Sequence, residues 1–578
     1  MNNQSRSLAE LLSENSSLYI KSLGQGARAT SSFRGTSSSH TAVNWNGIPI
    51  NSPMLGSFDF SQIPSFFTEQ VALHHGNGYS EHTAGALGGS ISLGNRFLND
   101  TITHILLLGE YGSNNTLTGG GALQWGKGSF VTKTRAYYQQ SDNDYTYLNT
   151  QYSTTPFKEK RKHAEYAQLG LMQEFFYTIN NHHRIRATSW WQHDDRNLPS
   201  AIYIQATPRE KQATHDIRSF VQYTFEKQAH TLDLWAVHLC NKYDYTRIFE
   251  NSPTRHTHNR THSLLLKGAY RYALNSQLAF TDNIEYRYDQ AKASSLLDGA
   301  RKESSFHNNI QIAYTPSDKL RTSLQWMIAS NNKHLANTYS IGIDYALTQG
   351  LNLRANQGYN YRYPTLNERF WEPGGNPNLR PEKGWSADAT VAYRLDRPNG
   401  GLKVEPTFFW MDIKDWIAWM PKNNSAVWEA RNFNAVRSMG IELLAEAYAI
   451  WGSTYHEIAC NFTHTHSVNK ADIAQTEGYQ LPYVPRNNWN ARYTLSYKQL
   501  RFNYRLHYTD IRFTSADESY FTPDYLIHDL DLSYRINLGH VIVTPKLTVN
   551  NLFDTYYEST QYYPMPLRAW RLALQVRF

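Results

Sequence analysis

The sequence lacks the features that mark several common protein classes. Two cysteines in 578 residues cannot build a disulfide framework, which excludes the small cystine-stapled folds. No segment approaches the ~18 uninterrupted apolar residues that a membrane-spanning helix needs, so helical membrane proteins are excluded. The opening segment, "MNNQSRSLAELL", has no basic stretch followed by an apolar run, so no secretory signal is visible.

Charge and catalytic motifs are also sparse. Charged residues make up 18% of the chain, and the net charge of +7 comes from Lys and Arg scattered among acids. Without a basic block, nucleic acid is not an expected partner. The glycine-rich segments have no βαβ unit around them, and no G-x-S-x-G motif or Ser-His-Asp arrangement stands out. We therefore do not expect an enzyme.

What the sequence has in excess is aromatic residues, which make up 14% of the chain and are led by 40 tyrosines. An apolar ring with a polar tip suits the two water–lipid boundaries of a β-barrel. The polar mean hydropathy of −0.60 is compatible with a barrel, since only every second residue of each strand faces lipid. An aromatic-rich soluble β protein remains the alternative on composition alone.

Apolar residues recur with a period of two in several segments. The chain ends in "WRLALQVRF", where Trp570, Leu572, Leu574, Val576 and Phe578 alternate with polar or small residues. The segments "LRFNYRLHYTD" and "LDLSYRINL" alternate in the same way, and their polar faces carry Arg, Asp and Asn. Turn-like gaps separate such segments, with no helical period between them. The pattern predicts antiparallel strands with one lipid-facing side.

The first part of the chain has a different pattern of apolar and polar residues. Leu8, Leu11 and Leu12 share one helical face behind a serine N-cap, and short apolar runs broken by Gly, Ser and Pro follow. We predict a small, loop-rich α+β domain over residues 1–97 and a β-barrel over residues 98–578. At about 9–11 residues per membrane-crossing strand, the second range accommodates about 22 strands, the number found in plugged transporters.

Several motifs, in order, resemble those of the TonB-dependent receptors of the Gram-negative outer membrane. In the first domain the match is carried by Arg34, Gly35, Asn46, Gly47, Gly88 and Gly89, with Asn46 where the family has Asp. In the barrel region the segments are "YRYPTLNERFW", "GGNPNLRPE", "LPYVPRN", "VNNLFDTYY" and the terminal aromatic. The residues that carry this match are Pro364, Asn376, Pro377, Pro381, Glu382 and Phe578.

The resemblance implies an all-β transmembrane barrel of about 22 antiparallel strands in the outer membrane of a Gram-negative bacterium. A small α+β plug would fill its lumen. The implied activity is import of a large, scarce nutrient, driven by the TonB complex of the inner membrane and requiring no cofactor. Further implied partners are the outer-membrane assembly machinery, lipid and lipopolysaccharide, and a surface lipoprotein acting as a lid.

The family carries a short coupling box ahead of the segment with which this sequence begins. We therefore expect the plug to be truncated at its N-terminus in this sequence, through fragmentation or a misassigned start codon. Loss of coupling is the other option, and it would leave a channel or a surface-binding barrel.

Within the family, "FRGTSSSHTAVNWNGIPINSPMLGSFDFSQIP" is similar to the plug of the cobalamin receptors. This similarity implies cobalamin or another corrinoid as cargo, with a ferric siderophore, another metal chelate or a glycan fragment as alternatives. It also implies that two plug loops touch ligand, through Gln25, Gly26, Ala27, Arg28, Ala29, Pro53, Met54, Leu55 and Gly56. Small residues permit close approach of the backbone, and Met54 and Leu55 offer apolar atoms to a ring face.

Acidic residues in two early segments suggest a metal site. The segments "SDNDYTYLN" and "QHDDRN" contain Asp142, Asp144, Asp194 and Asp195. Carboxylate oxygens are the ligands that Ca²⁺ prefers, and cobalamin receptors order such loops with calcium. Structural Ca²⁺ in extracellular loops is therefore one expectation, and a solvated acidic loop is the other.

Overall fold

Strand pairing closes the chain into a ring of 22 antiparallel strands around an N-terminal domain. The computed structural model describes residues 5–76, 86–151, 155–204, 209–249, 252–422, 427–470 and 476–578. Ala84 and Gly85, which open the predicted glycine-rich segment, lie outside the described residues. Among the described residues, no helix is both long enough and apolar enough to cross a membrane.

The N-terminal domain fills the lumen and is called the plug below. Its elements are α1 (Leu8–Asn15), β1 (Tyr19–Ser22), β2 (Ala29–Ser32), β3 (Thr41–Trp45), β4 (Ile48–Pro49), β5 (Gln70–His75) and β6 (Gly89–Gly94). The last four strands form one sheet in the order β4-β3-β6-β5, and β1 pairs with β2. Ser7 accepts a hydrogen bond from the backbone of Glu10, whose side chain accepts one from the backbone of Ser7. This capping box starts α1 and confirms the predicted helix.

The remaining strands, in chain order, make up the barrel and its loop hairpins. They are β7 (His104–Gly112), β8 (Thr116–Lys127), β9 (Phe130–Ser141), β10 (Thr146–Asn149), β11 (Phe157–Lys160), β12 (Tyr166–Asn180), β13 (His183–Leu198), β14 (Arg209–Lys227), β15 (His230–Phe249), β16 (Ser252–Ala273), β17 (Leu278–Ala293), β18 (Ala300–Ser317), β19 (Leu320–Asn331), β20 (Leu335–Thr348), β21 (Leu351–Arg362), β22 (Glu382–Arg397), β23 (Gly400–Pro421), β24 (Trp428–Trp451), β25 (Thr454–Asn469), β26 (Asn487–Tyr497), β27 (Leu500–Thr509), β28 (Arg512–Phe513), β29 (Phe521–Thr522), β30 (Tyr525–Tyr534), β31 (Ile536–Leu538), β32 (Val541–Asn550), β33 (Glu558–Thr560), β34 (Tyr563–Pro564) and β35 (Ala569–Arg577). A short helix, α2 (Leu366–Phe370), follows β21.

Three hairpins, β10–β11, β28–β29 and β33–β34, lie outside the ring, and β30 and β31 both pair with β32 as two parts of one ring strand. Short turns join the strands at the end of the barrel that holds the C-terminus, and longer loops join them at the other end. These are called the turn end and the loop end. The predicted number of strands is confirmed.

Outward-facing side chains of the ring are apolar over most of its height. On β35, Leu572 is 55% exposed and Leu574 is 48% exposed, while on β16 Leu266 is 62% exposed. Such side chains occupy every second position of their strands, whereas the positions between them face the plug or the lumen. The period of two in the sequence therefore corresponds to an apolar outer surface and a polar or plug-facing inner surface.

The last strand closes the ring against the first. β35 pairs antiparallel with β7, from Arg571 opposite Gly112 to Arg577 opposite Leu106. Beyond these pairs, Phe578 donates its backbone N–H to the carbonyl of Ile105 at 3.0 Å and accepts one back at 3.3 Å. Closure satisfies backbone groups that an open edge would leave unpaired in lipid.

One side of the plug shares an apolar core with the barrel wall. The ring centroid of Trp45 lies 5.5 Å from that of Trp190 and 5.2 Å from that of Phe220. Phe67 packs on Trp190 as well, at 5.3 Å. The barrel side chains of this core, all on strands between β7 and β16, are Leu108, Tyr137, Met172, Trp190, Phe220, Val237 and Leu265.

The opposite side of the plug meets the wall mainly through charged groups. Arg34 lies between Asp388 on β22 and Glu442 on β24, at 3.3 and 2.9 Å. His40 reaches Glu382 at the start of β22, with 2.7 Å between Nε2 and Oε2. All five side chains are largely removed from solvent. Ion pairs also occur on the first side, where Asp59 contacts Arg196 and Glu69 contacts Arg135, so charged contacts hold the plug on both sides and the large apolar core holds it on one.

Candidate ligand-binding site

A vestibule lies between the plug and the loop end of the barrel and has two adjoining lobes. The arginine lobe has a volume of about 520 Å³ and lies against β13–β16. The tryptophan lobe, of about 660 Å³, lies near α2 and the loop between β23 and β24. Residues shared by the two linings are Arg28, Leu55, Ser57, Asn367 and Trp371. A ligand could therefore contact both lobes at once.

The arginine lobe has a strongly basic lining. The arginines that line it are Arg28, Arg196, Arg218, Arg247, Arg255 and Arg287. Four of these arginines pair with carboxylates: Arg196 with Asp59, Arg218 with Asp216, Arg247 with Glu210 and Arg287 with Asp289. Six arginines against these four carboxylates leave the lobe net positive, which favours a ligand that carries negative charge. Tyr243 and Tyr245 add aromatic surface.

A buried ion pair forms the floor of the arginine lobe. Arg196 donates to Asp59 of the plug with 2.6 Å between the atoms, and to the hydroxyl of Ser61 at 2.9 Å. Asp59 also accepts the backbone N–H of Ala29 at 3.0 Å. Burial alone would raise the pKa of Asp59, but the Arg196 guanidinium and these hydrogen bonds hold it below its ordinary value. Asp59 is therefore a fixed negative charge on the floor.

The tryptophan lobe combines aromatic rings with hydroxyl groups. Trp371, Trp419 and Trp428 contribute the rings, and the plug contributes the serines of residues 37–39. Trp428 is 57% exposed. Indole rings beside hydroxyl groups suit a ligand with a flat apolar face and a polar rim.

The first predicted plug loop reaches the vestibule through one of its five residues. Arg28 is exposed there and donates to Ser57 at 3.0 Å. The carbonyl of Gln25 accepts from Asn143 at 2.7 Å, and a Cβ on Gly26 would lie 2.5 Å from the Tyr166 ring. Ala27 and Ala29 are buried. Most of this loop therefore packs on the barrel wall.

The second predicted loop lies between the two lobes. Leu55 is 46% exposed and lines both of them, and Pro53 lines the arginine lobe. Met54 is only 3% exposed, because it packs in a cluster with Leu366 of α2 and barrel residues near the loop end. A Cβ on Gly56 would lie 2.6 Å from Thr365. Of the two side chains expected to meet a ring face, Leu55 is accessible and Met54 is not.

The paired barrel motifs support α2 and the rim of the vestibule. Glu382 is buried and contacts Arg362 and His40, and its Oε1 accepts the backbone N–H of Ile417 at 2.6 Å. Arg362 in turn donates to both carboxylate oxygens of Glu368 on α2, each at 3.0 Å. The two motifs are therefore adjacent in space as well as in sequence. Pro364, Asn376, Pro377 and Pro381 lie in the connection between β21 and β22.

The plug motifs occupy backbone conformations that most residues avoid. Asn46 and Gly47 have φ values of 49° and 79°, which form the tight turn between β3 and β4. Arg34 and Gly35 have φ values of 47° and 74°, and a Cβ on Gly35 would lie 2.6 Å from Ser467 of the wall. Gly88 and Gly89 allow close approach to Phe33, Thr36 and the His74 carbonyl. Asn suits the turn as well as Asp does, because both tolerate positive φ.

The four predicted calcium ligands have separate partners. Asp142 accepts from Asn115 at 2.6 Å, Asp144 pairs with Lys160 at 2.5 Å, and Asp195 pairs with Lys211 at 2.9 Å. Asp194 is buried on the inner face of β13, since neighbouring strand positions point to opposite faces. No group of three acidic, His or Cys side chains suited to a metal occurs within the described part of the chain. Calcium binding stays a prediction.

Family models match nearly the whole chain. The model described as TonB dependent receptor-like, beta-barrel matches residues 108–552, and that of the TonB-dependent receptor plug domain matches residues 1–90. This chain is a TonB-dependent receptor. It is therefore a transporter of the Gram-negative outer membrane that interacts with TonB and binds a ligand, and it is not an enzyme. Because barrels of the outer membrane have short periplasmic turns and longer extracellular loops, the loop end is extracellular and the turn end periplasmic.

Curated relatives and solved structures extend this similarity. A vitamin B12 transporter BtuB of Photobacterium profundum is 23% identical over 604 residues, covering 100% of this chain and 90% of that protein. A protein of the same name from Vibrio vulnificus is 22% identical, covering 96% and 87%. The FrpB iron transporter of Neisseria meningitidis aligns with a TM-score of 0.81 at 16% identity, covering 100% and 97%. The siderophore receptor PirA of Acinetobacter baumannii aligns at 0.80 and 13%, covering 99% and 96%.

Sequence reasoning missed the barrel side of the vestibule. Arg196 and Arg218 occupy inward positions of β13 and β14, and Trp371 follows α2. The alternation of those strands marks both arginines as inward-facing, but it does not give their height relative to the plug. That height depends on the tilt of the strands and on how deeply the plug sits, which a linear pattern does not record.

Proposed function

We propose that this receptor imports cobalamin or a closely related corrinoid. The proposal rests on the similarity, across the full length of the chain, to proteins named vitamin B12 transporters. The two solved structures described above, named as an iron transporter and a siderophore receptor, are 16% and 13% identical, a level at which they show the fold alone.

The chemistry of the vestibule supports a corrinoid. A corrinoid has a broad ring with a rim of amides, together with a nucleotide joined through a phosphodiester. The indoles of the tryptophan lobe suit the ring face, and the serines of residues 37–39 suit the amides. The arginines of the other lobe suit the phosphodiester, because guanidinium groups bind phosphate oxygens in pairs. Arg28, which lines both lobes, is placed to contact the ligand between them.

A ferric chelate is the second candidate. The observation that favours it is the net positive charge of the arginine lobe, which is lined by six arginines, four of them paired with carboxylates. A chelate with several negative charges would gain more from that lobe than a corrinoid does. Its affinity would fall steeply as salt concentration rises, whereas a corrinoid held mainly by ring contacts would respond weakly.

Titration of the purified receptor with cyanocobalamin tests the proposal. We expect saturable binding below micromolar concentration, weakened about tenfold or more by Trp371→Ala, since a central aromatic anchor carries much of the binding energy. Trp451→Ala removes an indole that is 70% exposed at the turn end and should leave affinity unchanged. If the receptor does not bind cyanocobalamin at micromolar concentration but binds a ferric catecholate in a salt-sensitive way, the ferric chelate would replace the corrinoid as the proposed cargo.

A further inference from the structure

A polar cavity extends from the arginine lobe toward the turn end, between the plug and the barrel wall. It has a volume of about 260 Å³. The plug lines it through β3, β4 and the second plug loop, and the wall lines it through β16–β19 and β21. Asn51, Ser52, Pro53 and Arg287 line both this cavity and the arginine lobe, so the two spaces meet there. The cavity is called the amide shaft, because five asparagines line it.

The bottom of the amide shaft lies well below its mouth. Arg287 at the mouth and Asn283 at the bottom both lie on β17, which runs from the turn end to the loop end. Four residues of a strand span about 14 Å. Because the strands of such barrels tilt by about 35–45°, Asn283 lies about 10 Å closer to the periplasm than Arg287. The shaft is therefore narrow and deep.

Two asparagines at the bottom of the shaft have no hydrogen-bond partner for either amide atom among the described residues. They are Asn44 of the plug, 2% exposed, and Asn283 of the wall, 6% exposed. On β3, Asn44 lies on the face opposite Val43 and Trp45, which belong to the apolar core. Both amides line the shaft. A buried amide without a partner destabilises the fold, so the two amides indicate a ligand with groups that donate and accept hydrogen bonds.

Asn51, in the same lining, shows what a structural amide looks like. Its Oδ1 accepts the backbone N–H of Val43 at 2.6 Å, and its Nδ2 donates to the carbonyls of Thr41 and Gly56, each at 2.9 Å. Asn51 therefore holds the second plug loop against β3. Asn44 and Asn283 make no such contacts, so their amides are not needed to fix the backbone around them.

The charged side chains of the shaft are balanced. Each arginine in its lining is paired with a carboxylate, and its one lysine lies opposite a glutamate. The pairs are Arg287 with Asp289 at 2.9 Å, Arg369 with Glu303 at 2.5 Å, Arg362 with Glu368 at 3.0 Å, and Lys267 opposite Glu285. In contrast to the arginine lobe, the shaft therefore favours a neutral group that forms hydrogen bonds.

We propose that the amide shaft binds the nucleotide arm of a corrinoid, an inference that rests on the proposed function. The phosphodiester at the start of the arm remains at the mouth, beside the arginine lobe. The sugar beyond it carries hydroxyl groups, which donate to and accept from Asn44 and Asn283. Met327 and Pro49 offer apolar contact to the aromatic base. A compact ferric chelate has no such arm and would leave both amides unpaired.

Comparison of cyanocobalamin with dicyanocobinamide tests the inference, because the second compound has the same ring but lacks the phosphate, sugar and base. The variant Asn44→Leu/Asn283→Leu keeps the side-chain volumes close to those of the parent and removes both amides. Its affinity for cyanocobalamin should fall on the order of tenfold, the net effect of two ordinary hydrogen bonds. Its affinity for dicyanocobinamide should equal that of the parent receptor.

Thermal unfolding separates ligand binding from a structural role. Asn44→Leu/Asn283→Leu should unfold at the same temperature as the parent or higher, because the two amides have no partner in the protein. Asn51→Leu removes an amide that the plug uses and should unfold at a lower temperature. Asn503→Leu removes an amide that faces the lumen near the turn end and should leave the affinity for both corrinoids unchanged.

The outcomes distinguish the inference from the proposed function. If the parent binds neither corrinoid, the proposed function is wrong, and the inference fails with it. If the parent binds cyanocobalamin and the double leucine variant binds it equally well, the corrinoid does not reach the two amides and the inference alone is wrong. Equal losses of affinity for both corrinoids, or a lower unfolding temperature of the double variant, would also overturn it.

Discussion

Arg196 of the barrel and Asp59 of the plug form a buried ion pair, with 2.6 Å between guanidinium nitrogen and carboxylate oxygen. Asp59 also accepts the backbone N–H of Ala29, and Arg196 donates to the carbonyl of Gly26 at 3.3 Å. One ion pair therefore ties the first plug loop to β13 and to the segment that follows the second loop. The position of both loops depends on it.

Arg196→Gln is expected to loosen the plug beneath the arginine lobe. Removing one partner leaves the Asp59 carboxylate buried without its counter-charge, which costs about 3–5 kcal/mol. Hydrogen exchange of residues 25–29 and 57–63 should show the loss, while exchange in β26 and β27 should not change. Arg184→Gln breaks an exposed pair with Glu226 and should cost less than about 1 kcal/mol. If Arg196→Gln and Arg184→Gln cost the same stability, the buried pair of Arg196 and Asp59 would not be what holds the plug loops in place.

Acid is expected to release the same contact. The pKa of Asp59 lies below its ordinary value, so the pair's stabilisation is complete above about pH 4, the ordinary range of an unfolded Asp. It is lost as pH falls further, through the lowered pKa of the folded state. The protection factors of residues 25–29, which correct for the intrinsic slowing of amide exchange in acid, should fall at the acid end of a series from pH 7 to pH 3. In Asp59→Asn this acid-dependent loss of protection should be absent, and its persistence would assign the acid response to another group.

Gly26→Ala is expected to displace the first plug loop from the wall. Gly26 has a φ of 68° and faces the Tyr166 ring, which a Cβ would meet at 2.5 Å. Gly128→Ala is the matched control, because Gly128 has a φ of 59° but no atom within 4 Å of a Cβ. Both substitutions carry the cost of a left-handed alanine, about 1–2 kcal/mol. Only Gly26→Ala should weaken ligand binding in the vestibule. Adding Tyr166→Ala to that variant should restore binding, because it removes the ring that the new Cβ meets. If the double variant binds no better, the clash with Tyr166 is not the cause.

Deletion of Phe578 is expected to impair closure of the barrel. The deletion removes the two backbone hydrogen bonds to Ile105 and a terminal ring that is 50% exposed. The amount of folded receptor in the outer membrane should fall severalfold, as read from the heat-modifiable mobility of the folded barrel. Phe553→Ala removes a ring that is 63% exposed at the loop end and should assemble normally. Normal assembly of the deletion would show that the other pairs between β35 and β7 suffice.

Much of the architecture could be predicted from local patterns. Alternation in "LRFNYRLHYTD" and "WRLALQVRF" corresponds to β27 and β35, and the leucines behind Ser7 correspond to α1. These elements are predictable because each follows from the period of its own apolar residues. The division at Leu98 stays a prediction, and the first ring strand begins at His104.

The alternation could not show which side of every strand faces lipid. On β15, the apolar row of Trp235, Val237 and Leu239 faces the plug, and Val237 belongs to the shared core. Cys240, on the opposite face, is directly across from Ile217 on the outer wall. Where the plug is apolar, the inner surface is apolar too, so the period of two remains while the contrast between the faces disappears. Cys240 and Cys460 are both free.

The position of the apolar core on one side of the plug has a mechanical consequence. Separating the aromatic rings of the plug from β7–β16 would expose apolar surface to water, whereas the ion pairs of Arg34 and His40 with β22 and β24 can be exchanged for hydration. The ion pairs of Asp59 and Glu69 lie on the apolar side and are retained with it. When TonB pulls on the plug from the periplasm, we expect the contacts with β22 and β24 to separate first, so that the plug rotates about its apolar side. Cargo would then pass along the inner surface of β22 and β24, whose carboxylates would become hydrated.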